Sequence, residues 1–96
     1  MEATGINEVK NELGATLFPN PASDDVNMQF SLLQPSAMMM RVYDMDGRVV
    51  LSELQNLPGG ANNLAIGVKD IAQGLYTVQL VNVTTQQSSV LKLEKQ

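Results

Sequence analysis

From Thr16 onward the chain is written in period two. Val26, Met28, Phe30 and Leu32 alternate with Asn27, Gln29 and Ser31. Leu64, Ile66 and Val68 alternate with Asn63 and Gly67, and Tyr76, Val78 and Leu80 with Thr77 and Gln79. Leu91 and Leu93 alternate with Lys92 and Glu94. Successive side chains of a strand point to opposite faces of a sheet, so this spacing predicts strands with one face buried and one in water. Met38 to Asp44 and Arg48 to Leu54 are rich in strand formers, and Thr16 to Phe18 forms a short strand before Pro19. Seven strands follow, and no segment carries the 3.6-residue period of a long helix.

The breaks between the runs carry turn chemistry. Pro19-Asn20-Pro21 cannot continue a hydrogen-bonded ladder, because two of its three residues lack an N–H. Asp46-Gly47 between two strand-like runs is a strong hairpin signal. Pro58-Gly59-Gly60, followed by Asn62-Asn63, reads as a loop, and Asn82 to Gln87 as a polar hairpin loop. Turns at this spacing predict an all-β fold, an immunoglobulin-like antiparallel β-sandwich of about seven strands. Tyr76 follows a short turn into the penultimate strand, the place of a tyrosine corner, with its ring in the core and its hydroxyl on backbone a few residues upstream. Gly74 allows a turn conformation that a β-branched residue resists. Residues 1–13 are polar and weakly periodic, which predicts a flexible linker followed by one domain over 14–96.

Composition narrows the function. The 96 residues contain no Cys and no His, which removes Ser-His and Cys-His catalysis, disulfides and most zinc sites. Six Lys+Arg against ten Asp+Glu give a net charge of −4, the wrong sign for a nucleic-acid module. The longest apolar stretch, Ala37 to Met40, is far too short to span a bilayer, and Met1 to Thr4 lacks the features of a signal peptide. If the protein is exported, the chain is expected to be part of something larger.

Few residues offer chemistry. Asp44-Met45-Asp46-Gly47 has part of a calcium-loop pattern, but Val42 occupies a slot that needs an oxygen ligand, and the hairpin accounts for the rest. No carboxylate pair sits in the apolar frame that would raise a pKa for acid catalysis, so the chain is expected not to be an enzyme and to need no cofactor. Met38 and Met40 are expected in the core, with Met39 outward beside Arg41. Asn82-Val83-Thr84 matches a glycosylation sequon, which implies an exposed loop. Phe30 and Tyr76 lie on core faces, which leaves only Phe18 and Tyr43 for a carbohydrate-stacking platform.

Four segments taken together resemble a known family. Leu17-Phe18-Pro19-Asn20-Pro21 looks like the opening of the C-terminal sorting domain of the Bacteroidetes type IX secretion system, which begins with an apolar pair and Pro-Asn-Pro. Val42-Tyr43-Asp44-Met45-Asp46-Gly47-Arg48 resembles its strand–Asp-x-x-Gly–strand hairpin, Gly74-Leu75-Tyr76 its Gly-x-Tyr strand, and Val90-Leu91-Lys92-Leu93 its Lys-containing last strand.

The resemblance implies a secretion signal attached to a larger cargo domain and displayed to an outer-membrane translocon. It also implies removal by a sortase-like peptidase in the linker, and delivery to the cell surface or medium via the periplasm and outer membrane. Its motif residues here are Pro19, Asn20, Pro21, Asp44, Gly47, Gly74, Tyr76, Lys92 and Leu93. Pro19-Asn20-Pro21 is expected to form a rigid opening turn, and Leu91 and Leu93 to anchor the last strand. Lys92, Glu94 and Lys95 would then face a receptor from an exposed edge strand open to strand addition. The competing reading is a non-catalytic adhesion or carbohydrate-binding accessory module of a secreted enzyme.

Overall fold

The computed structural model describes residues 10–96. Eight strands run β1 (Lys10–Asn11), β2 (Thr16–Phe18), β3 (Asp25–Leu32), β4 (Ser36–Tyr43), β5 (Val49–Leu57), β6 (Gly60–Gly67), β7 (Gly74–Asn82) and β8 (Ser88–Lys95). They form a five-stranded sheet in the order β1-β8-β7-β4-β5 and a three-stranded sheet in the order β2-β3-β6. Every strand pair is antiparallel. The all-β, two-sheet arrangement is an open sandwich compatible with the immunoglobulin-like fold.

The period-two residues fill the space between the sheets. Val26, Met28, Phe30 and Leu32 of β3 face Met38, Met40 and Val42 of β4 and Tyr76, Val78 and Leu80 of β7 in one buried cluster. Met39 is half-buried on the opposite face of β4, beside Arg41, as the alternation requires. Each fully buried Leu, Val or Met contributes about 1.5–3 kcal/mol relative to leaving it exposed.

Three sequence expectations need correction. Asn62 and Asn63 are not in a loop: β6 starts at Gly60, and both pair with β3, opposite Phe30 and Gln29. Gly60 takes φ +92°, so a single left-handed residue makes the corner and the strand begins at once. Asn82, the sequon asparagine, is 4% exposed; its Oδ1 accepts from the amides of Thr84 (3.0 Å) and Thr85 (3.1 Å), so only the loop after it is exposed. Lys95 shares an inward face with Leu91 and Leu93 by period two and is buried, its amine reaching the Gln96 carbonyl at 3.0 Å.

Of the linker expected over 1–13, residues 1–9 lie outside the described residues, while 10–13 are tied down. Lys10 and Asn11 pair with Val90 and Ser89 of β8. The Glu12 amide donates to the Ser88 carbonyl at 3.0 Å, and the Leu13 amide to Ser89 Oγ at 3.0 Å. Asn11 braces the turn that follows: its Oδ1 accepts from the Ala15 amide (2.7 Å) and its Nδ2 donates to the Ala15 carbonyl (2.8 Å).

Candidate functional site

The resemblance-bearing segments are up to about 70 residues apart in sequence, yet they meet at one end of the sandwich. Register puts them there. Tyr43 of β4 lies opposite Thr77 of β7, and Thr77 opposite Lys92 of β8. Gly74, Leu75 and Tyr76 pair with Lys95, Glu94 and Leu93. The Asp44–Arg48 turn leaves β4 at this end, and Pro19-Asn20-Pro21 leaves β2 there.

Pro19-Asn20-Pro21 does more than turn the chain. Asn20 Nδ2 donates to the Lys92 carbonyl at 2.9 Å, and Asn20 Oδ1 accepts from the Glu94 amide at 3.0 Å. One side-chain amide thus pairs with two backbone groups of β8, as a neighbouring strand would. Two residues on, the Ala22 amide donates to the Glu94 carbonyl (2.9 Å), and the Gln96 amide donates to the Ala22 carbonyl (2.8 Å), a short parallel bridge. Ala22 is fully buried, which pins this segment against the core. With β1 on Ser88 to Val90, the outer border of β8 is covered along nearly its whole length. The edge expected to be open for strand addition is therefore closed. Sequence reasoning missed the closure because a two-residue strand has no period, and a side chain standing in for a strand has no pattern.

Asp44 is the hub of its hairpin. Its Oδ1 accepts from the amides of Asp46 (2.9 Å) and Arg48 (3.0 Å), and its Oδ2 accepts from Arg48 Nε (3.1 Å). The Asp44 carbonyl accepts from the Gly47 amide at 3.0 Å, and Gly47 takes φ +83°. The Arg48 amide, helped by the Asp46 amide and the guanidinium charge, holds the Asp44 carboxyl below its ordinary pKa against a smaller opposing push from desolvation. Three of the carboxylate's lone pairs are thus taken up by the hairpin's own groups, and the calcium-like pattern forms a turn. Among the described residues no three acidic groups gather.

Tyr76 makes the corner read from the sequence. Its ring is buried, and its hydroxyl donates to the Ala72 carbonyl four residues upstream. Leu93, opposite it, is 1% exposed and sits in the core, while Lys92 is exposed on the outer face of the large sheet. The motif residues thus divide by role. Tyr76 and Leu93 are packed, Asp44, Gly47 and Asn20 are spent on backbone geometry, and Lys92 is exposed with no ion-pair partner among the described residues.

A recess of about 440 Å³ at the opposite end is lined by Leu33, Gln34, Asn82 and Thr85, with Glu12 its one carboxylate, which leaves no acid–base pair. Of the aromatics, Phe30 and Tyr76 are buried, and Tyr43 is half-buried with its hydroxyl on Gln79 Oε1 at 3.0 Å. Only Phe18 is exposed, too little for a stacking platform.

A search of curated proteins found no match to the chain. The family model described as a secretion system C-terminal sorting domain matches residues 16–93, from the first residue of β2 to the buried Leu93. The matched stretch contains every one of the converging motifs, and by it the chain belongs to the C-terminal sorting domains of type IX secretion, non-catalytic tails that mark a protein for export across the outer membrane.

Proposed function

We propose that the domain works as a folded address: it holds a larger cargo for the outer-membrane translocon of the type IX system, and a sortase-like peptidase then separates the two. The observation that carries this reading is the coincidence of the family match over 16–93 with a unit whose four motifs gather at one end. A recognition surface assembled from distant segments exists only while the domain is folded, so fold and signal are one property. Residues 1–13 are proposed to join the domain to its cargo. The pairing of Lys10 and Asn11 with β8 disfavours a cut at these two residues, because a proteolytic site needs an unpaired backbone. Lys92, outward and unburied, is proposed as a contact for the machinery.

The test is to fuse the chain behind a periplasmic reporter in a host that carries a type IX system, and to measure reporter on the cell surface. Delivery is expected, with loss on deleting residues 91–96 and a partial loss with the folded variant Lys92→Glu. Periplasmic retention of the intact fusion, or delivery that survives the deletion, overturns the reading.

A further inference from the structure

The sandwich has another long border, and it is unfinished. Among the described residues β5 pairs with β4 alone, so the far side of its nine residues offers alternate backbone donors and acceptors that none of them takes up. Its side chains suit a partner. On the outer face of the large sheet Val81, Met39 and Leu54 stand side by side in register, from β7 through β4 to β5. Val81 and Met39 are half-buried, but Leu54, last in the row, is 60% exposed, and Val49 nearer the hairpin is 50% exposed. The row ends where one more strand would cover it. On the opposite side of the same strand Glu53 is exposed, with Gln55 Nε2 donating to its Oε2 at 2.6 Å.

The alternatives within the fold are poorer. β2 has three residues and ends at Pro19, and β8 is covered by β1, Asn20 and Ala22. β6 is open, but its outward residues are Ala61, Asn63, Ala65 and Gly67, which offer little apolar area. A second copy of the chain fits β5 badly in the register that uses the whole strand. In a two-fold antiparallel pairing of Val49–Leu57, residue 49 meets 57 and Glu53 meets Glu53, with Leu54 opposite Ser52. Like charges directly opposite each other are destabilising, and leucine gains nothing from serine.

We propose that β5 is the docking edge for an extended segment of the secretion machinery, which adds to the large sheet as a sixth strand, sets an apolar side chain against Leu54 and brings a Lys or Arg opposite Glu53. The proposal rests on the sorting reading above and names the surface it uses. Strand addition supplies affinity through backbone hydrogen bonds and specificity through alternate side chains, which is what a receptor serving many cargoes needs from a shared tail. A basic segment also suits a chain of net charge −4.

The surface-delivery assay tests it with Leu54→Lys, Glu53→Lys and, on the other open edge, Ala65→Lys. All three positions are exposed, so thermal melting should show each variant folded. Leu54→Lys should lower delivery at least about tenfold, Glu53→Lys about threefold, and Ala65→Lys less than about twofold. Wild-type delivery by both Leu54→Lys and Glu53→Lys overturns the docking edge while leaving the sorting function in place. An equal loss with Ala65→Lys overturns it too, since any added charge would then suffice. A dimer of the isolated protein in sedimentation that Leu54→Lys dissolves would hand the edge to a second copy instead. Should Leu54→Lys unfold, Glu53→Lys carries the test alone. If the wild-type fusion itself stays in the periplasm, the sorting reading falls and the docking edge falls with it.

Discussion

The two long borders of the five-stranded sheet are finished in opposite ways. Along β8, a two-residue strand, one asparagine side chain and the backbone of Ala22 take up the outward groups in turn. Along β5, no described residue does so over nine residues, and Leu54 and Val49 are left partly in water. An open edge is a hazard for aggregation, and proteins normally blunt it. Here one edge is sealed with side-chain precision while the other keeps its apolar residues and a single acidic guard, Glu53. The contrast makes β8 a structural border and leaves β5 as the border fitted to take a partner. It also relocates the place where a strand-adding partner is to be sought.

The largest effect is expected from inside β8. Leu93→Ala removes a side chain that is 1% exposed and should cost about 2–5 kcal/mol in denaturant unfolding. Leu54→Ala, the same change on the open border, should cost under about 1 kcal/mol. Comparable losses would mean that β5 is as integral to the core as β8.

Next in size is Asn20→Ala, which strips two backbone groups of β8 of their partner. A loss of about 1–2 kcal/mol is expected by thermal or chemical unfolding. The bared edge should also make the protein associate as its concentration rises, seen by light scattering. A stable, monomeric Asn20→Ala would show that Ala22 and β1 close the border without the amide.

The smallest effect belongs to Asp44, in the hairpin that joins β4 to the open strand. Its carboxyl is held below the ordinary carboxylate pKa in the fold, so its stabilising contribution is complete above that ordinary value. The contribution drains away as pH falls through the lowered one. Asp44→Asn should therefore melt slightly below wild type near neutral pH, and the gap should shrink under acid. A gap that widens as pH falls would contradict the assigned bonds.

Much of this architecture is legible in the sequence, for a physical reason. A strand with one wet face must alternate, so Val26 to Leu32 and Tyr76 to Leu80 declare both their conformation and their buried side. Tyr76 declares its corner because only a tyrosine after a short turn can send a hydroxyl back to the Ala72 carbonyl. The motifs of the sorting family are legible as well, and the family match over 16–93 agrees with them. What stays hidden is how the borders are finished. Lys10 and Asn11 are too few to show a period, and Asn20 is an ordinary turn asparagine until its amide is found 72 residues away on Lys92. Asn62 and Asn63 look like loop residues because polar side chains on the outer face of a sheet read the same as polar side chains in a turn. Lys95 is a case where the rule was available: by parity with Leu91 and Leu93 it belongs inside.

The contrast between the two borders is tested most directly by amide hydrogen exchange on the intact protein, residue by residue. The Glu94 amide, held by Asn20, should exchange as slowly as the β8 amides bonded to β7, while every second amide of β5 should exchange at close to the rate of an unprotected chain. A Glu94 amide that exchanges as fast as those open β5 amides, or a β5 protected along its whole length, would contradict it.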